Sequence, residues 1–318
     1  DVAAKIFEDV KYWYPNDLRH TAPAHISNHI SFFLFTHTLI FPEEFWPRAL
    51  TFNEMLNRNG QKMSKSKGNV IPLQHAIDEF GSDLIRLFIV SSGGFDRVAD
   101  WKDSQVPQVK SKLNELERVI LDSISATPSK LTPEDEWLAE RLKEKLGEAY
   151  DAYDRFEFMV AAQKAFFETL NEIKRFKKTT GKSETLAVHA VLREWIALIS
   201  PITPFIAEEI GEKMKSKRLI STDFIQKPTG NPNKEINSKI TFIESVLQDL
   251  EHVRRIVKGK QIKRGFIYSA EPNETSWLQG ASSALEKHTQ LEIHINDAHD
   301  PLGKMQKAQK GRPALYLE

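Results

Sequence analysis

The chain has 318 residues, with 44 Lys and Arg balanced by 44 Asp and Glu and no cysteine. That length suits two or three domains with buried cores, and the missing thiols exclude disulfides, a thiolate nucleophile and any zinc site built on Cys. No apolar run nears the ~20 residues of a membrane span and nothing at the N-terminus reads as a signal peptide, so a soluble cytoplasmic protein is expected.

Zero net charge gives no whole-chain argument for nucleic acid, so basic patches have to be found locally. The chain opens at Asp1 and runs directly into amphipathic sequence, which reads as a piece of something longer. Over residues 1–105, short apolar runs alternate with Pro, Gly and Asn breakers. Ile30, Phe33, Leu34, His37, Ile40 and Phe41 have helical spacing and predict a packed helix. Gly60–Asn69 is a polar, lysine-rich loop. Pro72–Phe80 reads as a helix ended by Gly81, and Ser82 as the cap of another running through Ile89.

From Trp101 to about Lys217 the pattern is continuously helical. Val106, Val109, Leu113, Leu116, Ile120 and Ile124 form one apolar stripe. Thr132-Pro133-Glu134-Asp135 reads as a helix start, with a cap, Pro at the first position and an acid at the third. Phe156, Val160, Phe167, Leu170 and Phe176 stripe the next helix, which Gly181 closes. Ser183 opens one carrying Trp195 and Ile199, and Thr203-Pro204 opens a fifth. These predict a helical bundle. Residues 221–237 read as a linker or exposed loop. A periodic helix from Ile240 to Val257 follows, stopped by Gly259. Gln261–Ala270, Leu291–Ile295 and Ala314–Leu317 read as strands, with a helix near Trp277–Leu285.

The chemistry concentrates in Gly60-Gln61-Lys62-Met63-Ser64-Lys65-Ser66-Lys67-Gly68-Asn69. Lysines supply compact charges with three donors each, suited to a polyphosphate. Serine hydroxyls and backbone amides freed by the glycines add neutral donors around the same anion. Such a loop can hold a triphosphate and stabilise the charge that develops as pyrophosphate leaves. Composition alone would also allow an ordinary solvated loop.

Lys62–Ser66 is similar to the lysine-serine signature of class I aminoacyl-tRNA synthetases, and with Lys67-Gly68-Asn69 it resembles the leucyl, isoleucyl and valyl branch. Asp17-Leu18-Arg19, Asn28–Phe33, Phe45-Trp46-Pro47 and Asp96–Trp101 resemble segments of archaeal and eukaryotic-type leucyl-tRNA synthetases. Ser200–Glu209 resembles the Pro-rich helix corner of the branch's anticodon-binding bundle, and Gly311–Glu318 the family's C-terminal ending. The resemblance implies that Lys62 and Lys65 are catalytic, that Lys62, Met63, Ser64, Lys65 and Ser66 bind ATP, and that Mg²⁺ accompanies the ATP as part of the substrate. It also implies leucine and the leucine tRNA isoacceptors as partners.

Two departures stand against a complete enzyme. No His-x-Gly-His string, the class I element that binds ATP from the opposite side, occurs in the chain. Where the family has Ser-Gly-Lys-Asp-Leu, this chain has Thr21, Ala22, Pro23, Ala24 and His25. Phe205 and Gly211 also stand where the branch often has His and Trp. An N-terminal catalytic and editing half is therefore expected as a partner.

His25 and His29, four apart, suit one helix face, but no third ligand accompanies them and no metal site is expected. Lys174, Arg175, Lys177, Lys178 and Lys182 cluster at a helix end, where they either complement the dipole or contact tRNA phosphates. Arg254, Arg255, Lys258, Lys260, Lys263 and Arg264 form a denser patch beside Phe266 and Tyr268, which is either a charged solvated face or a surface suited to an RNA backbone with stacked bases. The expected architecture is mixed. The end of an α/β Rossmann-like catalytic domain spans 1–105, a helical anticodon-binding bundle 106–220, and a linker with a small α/β tRNA-binding domain 221–318. The alternatives are a non-catalytic tRNA-binding protein derived from a synthetase, and an isoleucyl or valyl fragment.

Overall fold

The computed structural model describes residues 2–94, 97–126, 130–256 and 262–318. It forms two compact units, Asp1–Ser111 with Tyr153–Ala162, and Lys112–Ala152 with Gln163–Glu318. Asp96, Val257, Lys258, Gly259, Lys260 and Gln261, named above, lie outside the described residues. Among the described residues no helix is long and apolar enough to cross a membrane.

In the first unit α1 (Val2–Trp13) precedes β1 (Arg19–Thr21), a π-helical turn over Ile26–Ile30 and α2 (Ser31–Ile40). β1 pairs in parallel with β2 (Leu50–Phe52), Arg19 opposite Leu50 and Thr21 opposite Phe52. A second sheet has the order β4-β3-β5, from β3 (Asn57–Arg58), β4 (Gln61–Lys62) and β5 (Asp100–Trp101). Helices α3 (Leu73–Phe80) and α4 (Ser82–Ser92) follow the lysine loop. Leu84, Leu87 and Phe88 of α4 are buried, and the Trp101 ring lies 4.6 Å from Phe88 and 5.4 Å from Phe80.

The helix expected over Ile30–Phe41 forms but is not packed as expected. Ile30 and His37 are buried, Phe33 and Leu34 are half-buried, and Ile40 is exposed with Phe32, Phe35 and Leu39. Apolar side chains occur all round α2, so burying one face leaves the other in water. Ser82 is the first residue of α4 rather than its cap, a position held by Gly81, and α4 runs to Ser92 instead of ending at Ile89.

Helix α5 (Val106–Ile124) carries the predicted stripe, with Leu113, Leu116 and Ile120 buried. At the start of α6 (Pro133–Asp154) the capping box is complete: Thr132 N–H donates to Asp135 Oδ2 at 2.9 Å, and Asp135 N–H returns to Thr132 Oγ1 at 3.3 Å. The single helix expected from Phe156 to Phe176 is three pieces: α7 (Phe158–Ala162), which belongs to the first unit, a π-helical turn over Gln163–Glu168, and α8 (Thr169–Thr180). Phe156 lies outside them at φ 58°. The π turn has a tertiary partner, since the Ala165 carbonyl accepts the Trp195 indole N–H at 2.8 Å. The helix expected from Ser183 is likewise two, α9 (Thr185–His189) and α10 (Leu192–Ile199), followed by α11 (Pro204–Lys213).

Of residues 221–237, read as a linker or exposed loop, the last four already belong to the next helix, and the stretch 227–231 is strapped onto α6. Lys227 pairs with Asp151 at 2.7 Å, Asn231 N–H donates to Glu140 at 2.9 Å, and Pro228 is buried. A Cβ on Gly230 would fall 2.0 Å from the Glu140 carbonyl oxygen, and one on Gly147 would fall 2.4 Å from that of Pro228, so only glycine permits this approach.

Helix α12 (Lys234–Ile256) and α13 (Pro272–Thr289) cover one face of a sheet of order β7-β6-β8, from β6 (Arg264–Tyr268), β7 (Glu292–Ile295) and β8 (Ala314–Leu317). β6 and β7 run parallel with α13 as their crossover, and β8 returns antiparallel to β6. Ile243, Leu247, Leu250, Ile267, Leu278 and Leu285 form the core between helices and sheet. Each such fully buried side chain contributes about 1.5–3 kcal/mol.

Candidate functional site

Asn59 and Gly60, at φ 50° and 77°, make the two-residue turn that joins β3 to β4. Positive φ at both positions is the geometry an Asn-Gly hairpin adopts. The hairpin is tied to β5. Gly60 N–H donates to Asp100 Oδ1 at 2.9 Å, and Asp103 Oδ2 accepts from Asn59 at 2.9 Å and from Arg58 at 3.1 Å. The Trp101 indole donates to the other Asp103 oxygen at 2.9 Å. Burial alone would raise the Asp103 pKa, but these donors outweigh it and hold the carboxyl below its ordinary value.

The hairpin projects the lysine loop. Ser64 caps a short turn over Lys65–Lys67, its Oγ accepting the Lys67 N–H at 3.3 Å, and Gly68 closes that turn at φ 63°. Asn69 pins the loop at its base: its Oδ1 accepts the Ser64 N–H at 2.9 Å and its Nδ2 donates to the Lys62 carbonyl at 3.2 Å. Lys62, Lys65, Ser66 and Lys67 are exposed, while Met63 and Ser64 are half-buried. Among the described residues no carboxylate pairs with Lys62, Lys65 or Lys67. Three cations on one braced turn, without internal counterions, suit a polyphosphate rather than a structural ion-pair network.

At the carboxyl end of β1, where parallel α/β sheets hold ligands, the turn after Thr21 carries no acid. Thr21 Oγ1 lies 2.6 Å from His25 Nδ1, and the Arg19 guanidinium donates to His29 Nε2 at 3.0 Å. A guanidinium only donates, so the His29 Nε2 is the acceptor in this contact. The two imidazoles thus have separate partners, and among the described residues no three His, Cys, Asp or Glu side chains converge as metal ligands. Sequence reasoning missed a cavity of about 400 Å³ in this unit, walled in part by His20, Glu54, Val90 and Met159, residues with no local motif to mark them.

In the second unit the cations of α8 are all engaged. Lys174 pairs with Glu115 at 2.9 Å, Arg175 with Glu244 at 2.8 Å, Lys177 with Glu184 at 2.9 Å, Lys178 with Glu251 at 3.0 Å, and Lys182 beyond it with Glu134 at 3.1 Å. Of the denser patch, Arg254 donates to the Thr289 carbonyl at 2.6 Å, Arg264 pairs with Glu318, Arg255 is exposed and 3.8 Å from Glu251, and Lys263 is exposed. Phe266 and Tyr268, read as stacking residues, are buried and present no free ring to a base. Phe266 lies against His294 at 4.8 Å and His299 at 5.1 Å, and the Tyr268 hydroxyl donates to the His299 carbonyl.

Two family models match the chain: class I tRNA synthetases over residues 6–119, and the anticodon-binding domain of tRNA ligases over residues 135–267. The leucine–tRNA ligase of Staphylothermus marinus is 32% identical over 304 residues, which is 93% of this chain and 30% of that protein. That of Pyrococcus horikoshii is 28% identical over an alignment spanning the whole chain and 39% of the relative. That of Methanococcoides burtonii is 34% identical over 85% of this chain and 28% of its own length. The chain therefore spans roughly a third of the curated relatives it matches. In fold it is similar to an Agrobacterium radiobacter LeuRS solved in a ternary complex with tRNA and LeuAMS, with a TM-score of 0.57 at 24% identity over 68% of this chain and 29% of that one.

Proposed function

We propose, from the premise that this chain is a C-terminal portion of a leucyl-tRNA synthetase, that it supplies the signature-loop side of an ATP-dependent leucine–tRNA ligase. The observation that carries the reading is the braced loop with three lysines free of carboxylates. In this reading Lys65 and Lys62 neutralise the triphosphate of Mg²⁺-ATP as leucine attacks the α-phosphorus and pyrophosphate leaves. Met63, Ser64 and Ser66 shape the loop around it. Residues 1–105 would belong to the catalytic domain, 106–220 to the anticodon-type bundle and 221–318 to a tRNA-contacting end, at work in the cytoplasm. Arg255 and Lys263, exposed at the end of α12 and the start of β6, suit tRNA phosphates. The α8 cations would have to leave their carboxylates to do the same.

Adenylation in this reading needs further polypeptide that brings the His-x-Gly-His element and the editing function. The first unit supports that need. Val2, Ile6, Tyr12 and Trp13 of α1 and Phe32, Phe35, Leu39 and Ile40 of α2 are exposed, and β1-β2 is a two-stranded parallel sheet, an arrangement that is stable only when extended and covered. The test is leucine-dependent ATP–pyrophosphate exchange by the chain, alone and with the part of the Staphylothermus marinus ligase that precedes the matched stretch. Exchange is expected only from the pair, and Lys65→Ala should lower it about 10²–10³-fold. Full exchange from the chain alone would overturn the need for a partner, and an unaffected Lys65→Ala would overturn the role of the loop.

A second reading, a tRNA-binding protein without catalysis, is favoured by the Thr21–His25 turn, which lacks the glycine and the acid of the family pattern. Selective binding of leucine tRNA, with no exchange in any complemented mixture, would decide for it.

A further inference from the structure

The turn after α11 holds cations that differ from those of α8. Lys215, Lys217 and Arg218 are exposed, and among the described residues no carboxylate pairs with any of them. Their backbone is well held. Lys215 N–H donates to the Glu212 carbonyl and Ser216 N–H to that of Gly211, both at 2.9 Å, which ends α11 in a Schellman-type closure with Lys215 at φ 57°. The Glu208 carboxylate then accepts the N–H groups of Ile220 and Ser221, both at 2.9 Å, while Ile220 is buried.

The chain next presents Phe224, whose side chain is fully exposed. It is flanked by fixed points, Asp223 paired with Arg193 at 3.0 Å and Lys227 paired with Asp151 at 2.7 Å. A rigidly supported aromatic ring left wholly in water forgoes about 1.5–3 kcal/mol of burial. Asp223, the residue before it, helps wall a cavity of about 340 Å³ with Met214, Lys217, Arg218 and Arg193.

We infer that this surface is an RNA-binding subsite, in which Lys217 and Arg218 contact phosphates and Phe224 stacks on an unpaired base at the cavity mouth. The two kinds of donor answer the two parts of a single-stranded nucleotide: charge without internal counterions for the backbone, and an exposed π-face for the base. A protein partner would gain from the ring but not from the unpaired cations of the preceding turn. The inference rests on the tRNA reading above and deepens it by naming the contact, which lies within the stretch matched by the anticodon-binding model.

The test is fluorescence anisotropy of the full chain with a labelled leucine tRNA transcript across a salt series. Phe224→Ala should weaken binding about tenfold with an unchanged salt slope, and Phe224→Trp should keep it, because stacking is worth about 1–3 kcal/mol per base. Lys217→Gln with Arg218→Gln should reduce the magnitude of the slope by about 1.4–1.8, since each phosphate contact contributes about 0.7–0.9. Wild-type affinity and slope in both variants would overturn this subsite and leave the tRNA reading standing. No binding by the wild-type chain would overturn both.

Discussion

The Asn69 side chain accepts the backbone N–H of Ser64 at 2.9 Å while donating to the carbonyl of Lys62 at 3.2 Å. One amide thus fixes both the entry of the lysine loop and the residue that caps its turn. Asn69→Ala removes both bonds, each worth about 1 kcal/mol net. Amide hydrogen exchange at Ser64 should quicken about 5–10-fold while the melting of the helical unit stays unchanged. Unaltered exchange at Ser64 would mean that the turn at Lys65–Lys67 holds the loop without this brace.

Gly230 and Gly147 are where the strap over α6 is set by space. Gly230→Ala would drive a methyl to 2.0 Å from the Glu140 carbonyl oxygen, and backbone cannot give as a side chain can. Overpacking of this kind costs about 1–3 kcal/mol. Urea denaturation should show that loss for Gly230→Ala. Gly280→Ala, whose new methyl meets nothing within 4 Å, should be neutral or slightly stabilising in its helix.

Much of the second unit is legible in the sequence because its signals are local. Thr132-Pro133-Glu134-Asp135 spells its own cap, and the stripe on α5 repeats at helical spacing. The breaks around Gln163–Glu168 and between α9 and α10 are not legible, because a partner distant in sequence, the Trp195 indole for the first, stabilises a bulge that no local pattern encodes. The lysine loop is legible as a string. The neutralisation of α8 is not, since Glu115, Glu244 and Glu251 come from other helices and only the fold brings them to Lys174, Arg175 and Lys178. The same holds for Phe266 and Tyr268, whose burial depends on the segment after β7 folding back over the sheet.

Glu134 accepts from Lys239 at 2.8 Å and Lys182 at 3.1 Å. Burial alone would raise its pKa, but the two lysines and its own backbone N–H bring it from 4.5 down to about 2. A depressed carboxylate stabilises the fold fully above its unfolded pKa, and that stability is lost as pH falls from about 4.5 towards 2. The full depression corresponds to about 3 kcal/mol, and screening at the part-exposed Lys182 leaves about 1–2 kcal/mol. Glu134→Gln should therefore be less stable than wild type by that amount at pH 7, with the gap closing below pH 4. A gap that persists unchanged to pH 2.5 would show that packing, not charge, holds this corner.

Leu39 and Phe35 of α2 are 84% and 66% exposed, on a helix whose other side holds the buried His37. Side chains already in water have little folding energy to lose, so Leu39→Asp with Phe35→Asp should change stability by no more than about 0.5 kcal/mol per site. Leu87→Ala, at a fully buried position of α4, should cost about 2–5 kcal/mol. The acidic pair should instead act on association. If the rest of a class I catalytic domain covers α1 and α2, the doubly substituted chain should bind the preceding part of the Staphylothermus marinus ligase at least tenfold more weakly in a pull-down titration, with unchanged circular dichroism. Equal binding would move the contact off α2 and leave the edge of β1 as the place where the added polypeptide joins, because among the described residues that strand pairs only with β2.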